Sequence, residues 1–309
     1  MKGVSMNLEE KYEFGGWKNC LRLFNNEIEL VATTDIGPRI VRFGYIGGQN
    51  LFKEFKDDQG KTGGKEWKAY GGHRLWNAPE DIKRTYYPDN EPVKYKWDGK
   101  TLKLMQNIEE TTGILKEIEL TLDSKENKVT VLHKLTNKNT SEIELVPWAP
   151  TIMAEKGRMI VPQEPYQSWE DNKSPVRSLV LWSYTDMRDP RWSWGTKYIQ
   201  LSQDPNAKTK QKIGITNTTG WISYYLNGEI FIKRYAYEPN ANYIDLGCNT
   251  EVYTSPNALE VETLGKAQLV KPGSTAVHIE KWYLLKVELQ MDEESIDNKL
   301  LPLIKNTEL

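Results

Sequence analysis

Apolar residues recur with a period of two along most of this chain, and that alternation limits the fold more than any other feature. In Lys128–Leu135, Val129, Val131, His133 and Leu135 share one face. In Val277–Val287, so do Val277, Ile279, Tyr283, Leu285 and Val287, with Lys281 as the exception. Such a period belongs to a strand whose two faces meet different surroundings. Turn dipeptides punctuate these runs at Gly47-Gly48, Asp98-Gly99, Asn227-Gly228 and Pro272-Gly273. Asp98-Gly99 lies between KYKW and KTLKL, and Asn227-Gly228 between WISYYL and EIFIKRY. Both pairs predict tight hairpins. Long amphipathic helices are missing, and the best helical stretch, Glu293–Ile304, is interrupted by Pro302. The chain reads as all-β, with many short antiparallel strands and few short helices. No linker-like shift in composition, charge block or long-period repeat divides it, so residues 1–309 are read as one domain.

Charge argues against whole classes of partner. Charged residues make up 27% of the chain, yet the net charge is only −2. Neither nucleic acid nor an anionic membrane is an expected partner. No stretch approaches the roughly 20 apolar residues of a membrane span. MKGVSMNLEEKYEF, at the N-terminus, has no apolar leader, which predicts a cytoplasmic protein. Cys20 and Cys248 are too few for a disulfide framework and read as two free thiols. Eleven Trp and sixteen Tyr against six Phe favour rings with a polar handle, suited to stacking on sugars and equally at home in wide sheets.

Two segments carry groups capable of chemistry. In LEVETLG (259–265), alternation sends Glu260 and Glu262 to one face, with Cα atoms roughly 6.5 Å apart. If partly buried, such a pair raises one carboxyl pKa and supplies a general base usable near neutral pH. If solvated, it is two ordinary surface glutamates. In GGHRLW (71–76), Gly71-Gly72 permits close approach to another strand or a ligand. His73 supplies a group titrating near neutrality, Arg74 a fork of donors or a structural ion pair, and Trp76 a stacking face. His133 reads as a core residue, and His278 stays undecided. Three histidines in separate segments give no metal-site spacing, and no nucleotide-binding or metal motif is present, so no cofactor is expected. Tyr184, Asp186, Arg191, Lys212, Lys233 and Asp245 lie in strand-like aromatic surroundings, as surface or ion-pair residues or as the lining of one polar cleft.

From TDIGPRIVRFGYIGGQNLF (34–52) to LVKPGSTAVHIEKWYLL (269–285), the chain resembles the galactose-mutarotase-like (aldose 1-epimerase-like) superfamily, in an uncharacterised bacterial branch. The resemblance implies a β-supersandwich of large antiparallel sheets with a sugar site on one sheet. It also implies a glutamate base in a late L-E-T-type strand and a histidine that protonates the ring oxygen. That glutamate corresponds to Glu262 in Val261-Glu262-Thr263, with Glu260 as its neighbour. The histidine does not carry over: Val146-Pro147-Trp148-Ala149-Pro150 follows Leu135-Thr136-Asn137 and puts Trp148 near its place. His73, Arg74 or a tyrosine then fills the acid's role, or the branch does not catalyse mutarotation. With His73 as first choice, the expected catalytic pair is Glu262 and His73. The expected sugar contacts are Arg74, Trp76, Glu260, Trp148, Arg39, Lys212, Lys233 and Asp245. A mutarotase-type enzyme is the first reading. A sugar binder that has lost its acid is the alternative, and a polysaccharide lyase or hydrolase comes third.

Overall fold

Asn227-Gly228 closes a two-residue hairpin in which Leu226 pairs with Glu229. Both turn residues have positive φ, 49° and 81°, which suits a type I′ turn and the Asn-Gly pair that favours it. The Asp98-Gly99 hairpin is wider: Trp97 pairs with Leu102, and Asp98 accepts bonds from the amides of Lys100 and Thr101. A computed structural model describes residues 6–308, and the strands joined by such turns form two large antiparallel sheets. The first five residues, part of the stretch read as lacking a leader, lie outside the described ones.

The first sheet has 11 strands. It runs from Asn7–Phe14 through Trp17–Phe24, Ile28–Thr33, Arg39–Tyr45, Gly72–Arg74, Pro147–Met153, Ala258–Leu264, Thr250–Ser255 and Gln211–Ile215 to Leu179–Leu181, while Trp76–Asn77 also pairs with Pro147–Met153. The second has 10 strands, and its middle is Glu229–Arg234, Thr275–Lys286 and Lys128–Asn137. Between the sheets lies an apolar core centred on Phe43, Phe52, Phe231 and Trp282, whose ring centroids are 5.5–6.0 Å apart. The all-β expectation and its supersandwich form describe this architecture. Among the described residues, no helix is long and apolar enough to cross a membrane.

The structure decides which face of one strand is inward and corrects one local expectation. In Thr275–Lys286 the core-facing set is Ala276, His278, Glu280, Trp282 and Leu284, whereas Val277 and Ile279 are exposed. The outward set nevertheless looks apolar, because Tyr283 is covered by the C-terminal segment through Leu289, Ile296, Leu300 and Ile304. That segment is helical from Glu293 to Lys305, and Pro302 does not interrupt it. A π-helical turn over Ile296–Leu300 places the proline in the first turn of the last segment, where no amide donor is needed.

Candidate active site

The outer face of the first sheet carries the site, and strand alternation decides what reaches it. Thr151 pairs with His73 and Val261, and Pro150 with Glu262. Thr151, Val261 and His73 therefore point into the sandwich. Arg74, Trp76, Trp148, Glu260 and Glu262 point the other way. Gly71 and Gly72 make this packing possible. A Cβ on Gly71 would stand 1.9 Å from the Lys53 carbonyl oxygen, and one on Gly72 2.1 Å from that of Ile40. The close approach is to neighbouring backbone.

The cleft on this face has a volume of about 860 Å³. Trp67, Trp76, Trp148, Trp182, Tyr184 and Tyr253 wall it, and Glu260, Glu262 and Lys212 form its polar floor. Trp76 and Trp148 meet edge to face, with centroids 5.0 Å apart. Lys212 sits 4.8 Å and 4.9 Å from the ring centroids of Trp148 and Trp182. Its ammonium lies 2.8 Å from Glu251 and 3.3 Å from Glu262. Burial pulls that ammonium down, but Glu262 and Glu251 more than offset it and hold it well above the usual lysine range. Glu262 also accepts a bond from Trp148 Nε1 at 2.8 Å.

Glu260 is the other kind of carboxyl. It is partly accessible from the cleft, and burial, reinforced by Glu262, pushes it up to about 8. Burial also raises Glu251 to about 8 against the pull of Lys212. The floor thus combines an ion-paired carboxylate, Glu262, with a neighbour that holds its proton at neutral pH.

Of the residues expected at the site, Glu262, Glu260, Trp76, Trp148 and Lys212 come together in this cleft. Asp245 lines a connected second lobe. His73 does not reach either. It is fully buried, with Nδ1 2.7 Å from Thr151 Oγ1 and Nε2 2.7 Å from His133 Nε2. Its ring points into the sandwich because consecutive strand residues face opposite ways, so His73 and Arg74 cannot serve one surface. Arg39 is also displaced from the expected role: fully buried, it donates to Asp89 at 2.6 Å and to the carbonyls of Ala69 and Gly71. Arg74 joins the same Asp89 at 3.3 Å and stacks behind the wall, 4.9 Å from the rings of both Trp67 and Trp76. Burial lowers its guanidinium to about 10.

Lys233 is likewise a core residue. Its ammonium bonds Glu280 at 2.9 Å and the carbonyls of Ala149 and Val261 at 2.8 Å and 3.1 Å. Glu280 accepts further bonds from Thr263 and Trp282 Nε1. His133, expected in the core, is there, and His278 joins it through Thr263 at 2.6 Å. The hydrogen bonds assign neutral rings consistently. Thr151 donates to His73, His73 to His133, and His133 Nδ1 to the His278 carbonyl at 3.1 Å. Burial holds all three imidazoles below their ordinary range, His133 near 4 and His278 near 3. His73, His133 and Glu280 place ligand-type atoms within 4.8 Å of one another, a convergence that separate sequence segments did not reveal. Glu280 already has a cation, Lys233, and each ring nitrogen of the two histidines has a partner, so this donor set is filled without a metal.

Sequence reasoning missed Trp67, Glu80, Tyr86, Trp182, Glu251 and Tyr253. Glu251 and Tyr253 alternate along one strand as Glu260 and Glu262 do, and that signal was readable. The others sit on loops folded over the sheet, where periodicity says nothing.

No protein-family model and no curated protein sequence matches the chain. Solved structures do match in fold. A galactose mutarotase-like protein from Clostridium acetobutylicum is 10% identical, with 92% of this chain and 100% of that one covered and a TM-score of 0.56. A galactose mutarotase related enzyme from Lactobacillus acidophilus is 9% identical, with 87% and 100% covered and a TM-score of 0.55. A TPR-domain containing protein from Parabacteroides distasonis is 12% identical, with 88% of this chain covered and a TM-score of 0.56. The present chain spans 48% of that protein. The fold is galactose-mutarotase-like.

Proposed function

We propose that the cleft binds a carbohydrate and that Glu262 and Glu260 act on it as a base and acid pair, in the manner of an aldose 1-epimerase. One observation carries this reading. Two carboxyl groups project side by side from the strand Ala258–Leu264 into an aromatic cleft; one sits beside an ammonium, and the other is held near 8. Indole and phenol faces suit the C–H face of a pyranose, while carboxylates and an ammonium suit its hydroxyls. Glu262 would take the proton of the anomeric hydroxyl as protonated Glu260 gives one to the ring oxygen. The bond between the anomeric carbon and the ring oxygen breaks, the aldehyde rotates, and reclosure returns both protons. Glu260 replaces His73 as the donor in this scheme.

A second reading, binding without turnover, is favoured by the ties on Glu262. Bonds from Trp148 at 2.8 Å and Lys212 at 3.3 Å already engage its Oε2. Saturation-transfer NMR over a panel of aldoses separates the two. Catalysis predicts anomer exchange that falls about 10²-fold in both Glu262→Gln and Glu260→Gln. Ligand-induced thermal stabilisation without exchange selects the binder. Neither effect with any sugar overturns both.

A further inference from the structure

Resting on the carbohydrate reading above, we propose that the ligand is an oligosaccharide, with a second sugar subsite in a lobe organised around Glu251. This lobe, of about 380 Å³, is lined by Pro79, Ile82, Asp245 and Glu251. It shares Trp148, Trp182 and Lys212 with the larger cleft. The larger space alone lies within the roughly 300–1,000 Å³ typical of a small-molecule site. The smaller lobe is additional room on the same floor.

Glu251 supplies the reason to fill that room. It is 1% exposed, and one oxygen accepts from Lys212 at 2.8 Å. Its other oxygen, Oε1, is buried without a hydrogen-bond partner. Native structures rarely leave such an atom unpaired, because its desolvation goes uncompensated. A ligand hydroxyl in the lobe would complete it. The carboxyl also sits beside the proposed base: Glu251 pairs with Glu262 across adjacent strands, and Lys212 bonds both. One unit over Glu262 would therefore lead directly to the next over Glu251.

The lobe's walls suit a sugar ring. Asp245 and Leu246 both have positive φ, 48° and 61°, a costly conformation for non-glycine residues that tends to accompany a site. It puts Asp245 in the lobe and leaves Leu246 86% exposed, while Ile82 on the lobe's lining is 84% exposed. Exposed aliphatic groups around a floor of carboxyl groups match a ring with apolar C–H faces and a hydroxylated edge.

Affinity measured against chain length tests this. The probes are one-, two- and three-unit series of glucose (cellobiose, cellotriose), galactose, xylose and galacturonate, titrated calorimetrically. In at least one series the second unit is expected to tighten binding tenfold or more. That ratio should fall below threefold in Glu251→Gln and in Ile82→Asp. If either variant fails to fold, saturation-transfer difference on the wild type decides, with the second ring expected to receive saturation as strongly as the first. A monosaccharide that binds as tightly as its oligomers overturns the second subsite and leaves the carbohydrate reading standing. A ratio that persists in both folded variants places the second unit elsewhere and overturns the assignment to this lobe. Failure of every sugar at every length overturns the carbohydrate reading itself.

Discussion

Replacing Lys233 by methionine tests whether the polar cluster in the core is structural. Methionine keeps most of the volume and removes only the charge. In the native protein Glu280 is held near 2, against 4.5 for a free glutamate: burial opposes this, and Lys233 is the largest stabilising influence. At about 1.36 kcal/mol per pKa unit, the carboxylate's favourable environment is worth about 3 kcal/mol at neutral pH. The two partners are held unequally, since burial lowers the Lys233 ammonium despite Glu280. The intact pair therefore contributes less than the carboxylate's side alone suggests. Removing only the cation is the larger loss, because a buried carboxylate stays behind; such deletions cost about 3–5 kcal/mol. Without Lys233, burial raises the folded-state pKa of Glu280 above its unfolded value. Its contribution then favours folding at low pH and is lost as pH rises. The deficit of Lys233→Met should thus be about 3 kcal/mol or more at pH 8 and clearly smaller at pH 5, read from urea unfolding of both proteins. Adding Glu280→Gln should recover part of it. A deficit below about 1 kcal/mol, or one that ignores pH, would refute this account of the core.

Other expectations follow from the same geometry. If Glu260 is the proton donor, sugar ring opening should slow as pH rises through about 8, and Glu260→Gln should abolish that limb of the pH–rate profile. A profile unchanged in the variant would remove Glu260 from the chemistry. His73→Gln should cost about 1–3 kcal/mol through the bonds to Thr151 and His133 while altering sugar affinity less than threefold; a selective loss of affinity or rate at unchanged stability would contradict its placement. Cys20 and Cys248 are buried free thiols that burial raises to about 11 and about 12. Thiol reagent should therefore modify the native protein at least about 10²-fold more slowly than the urea-unfolded chain, and fast native labelling of either would show that the sheets open at that point.

The parts of this molecule that were legible in sequence are those governed by near neighbours along the chain. Alternation put Glu260 and Glu262 on one face, and the Asn-Gly hairpin followed from the φ values its residues tolerate. The surplus of Trp over Phe is divided: Trp67, Trp76, Trp148 and Trp182 wall the cleft, while Trp17, Trp221 and Trp282 are packed in the core. What escaped depends on which strands become neighbours. His133 and His278 lie on paired strands, while His73 comes from the opposite sheet, so no local spacing announces their meeting. In Thr275–Lys286 a rule that apolar residues face inward would select the outer set, because His278 and Glu280 are buried by virtue of partners elsewhere in the fold. GGHRLW misled for a simpler reason: a cluster of reactive residue types was treated as one surface, although neighbours in a strand never share one.

That same alternation ties the cleft to the core. The strands Pro147–Met153 and Ala258–Leu264 carry Trp148, Glu260 and Glu262 outward and Thr151, Val261 and Thr263 inward. Lys233 reaches the main-chain carbonyls of Ala149 and Val261, and Glu280 takes the hydroxyl of Thr263. Each cleft glutamate is therefore flanked in sequence by a residue whose backbone or side chain is anchored to the buried ion pair. A fully bonded polar network fixes position more tightly than an apolar contact, since its bonds are directional and costly to leave unmade. This gives the core charges a reason to be retained even though an apolar substitute for the whole cluster could be as stable. It also predicts that replacing Lys233 and Glu280 together by apolar residues would leave the protein folded while loosening the spacing of Glu260 and Glu262. Sugar affinity should then fall more than stability, in thermal-shift and calorimetric measurements on the same double variant. Equal loss of both, or unchanged affinity, would separate the core pair from the site.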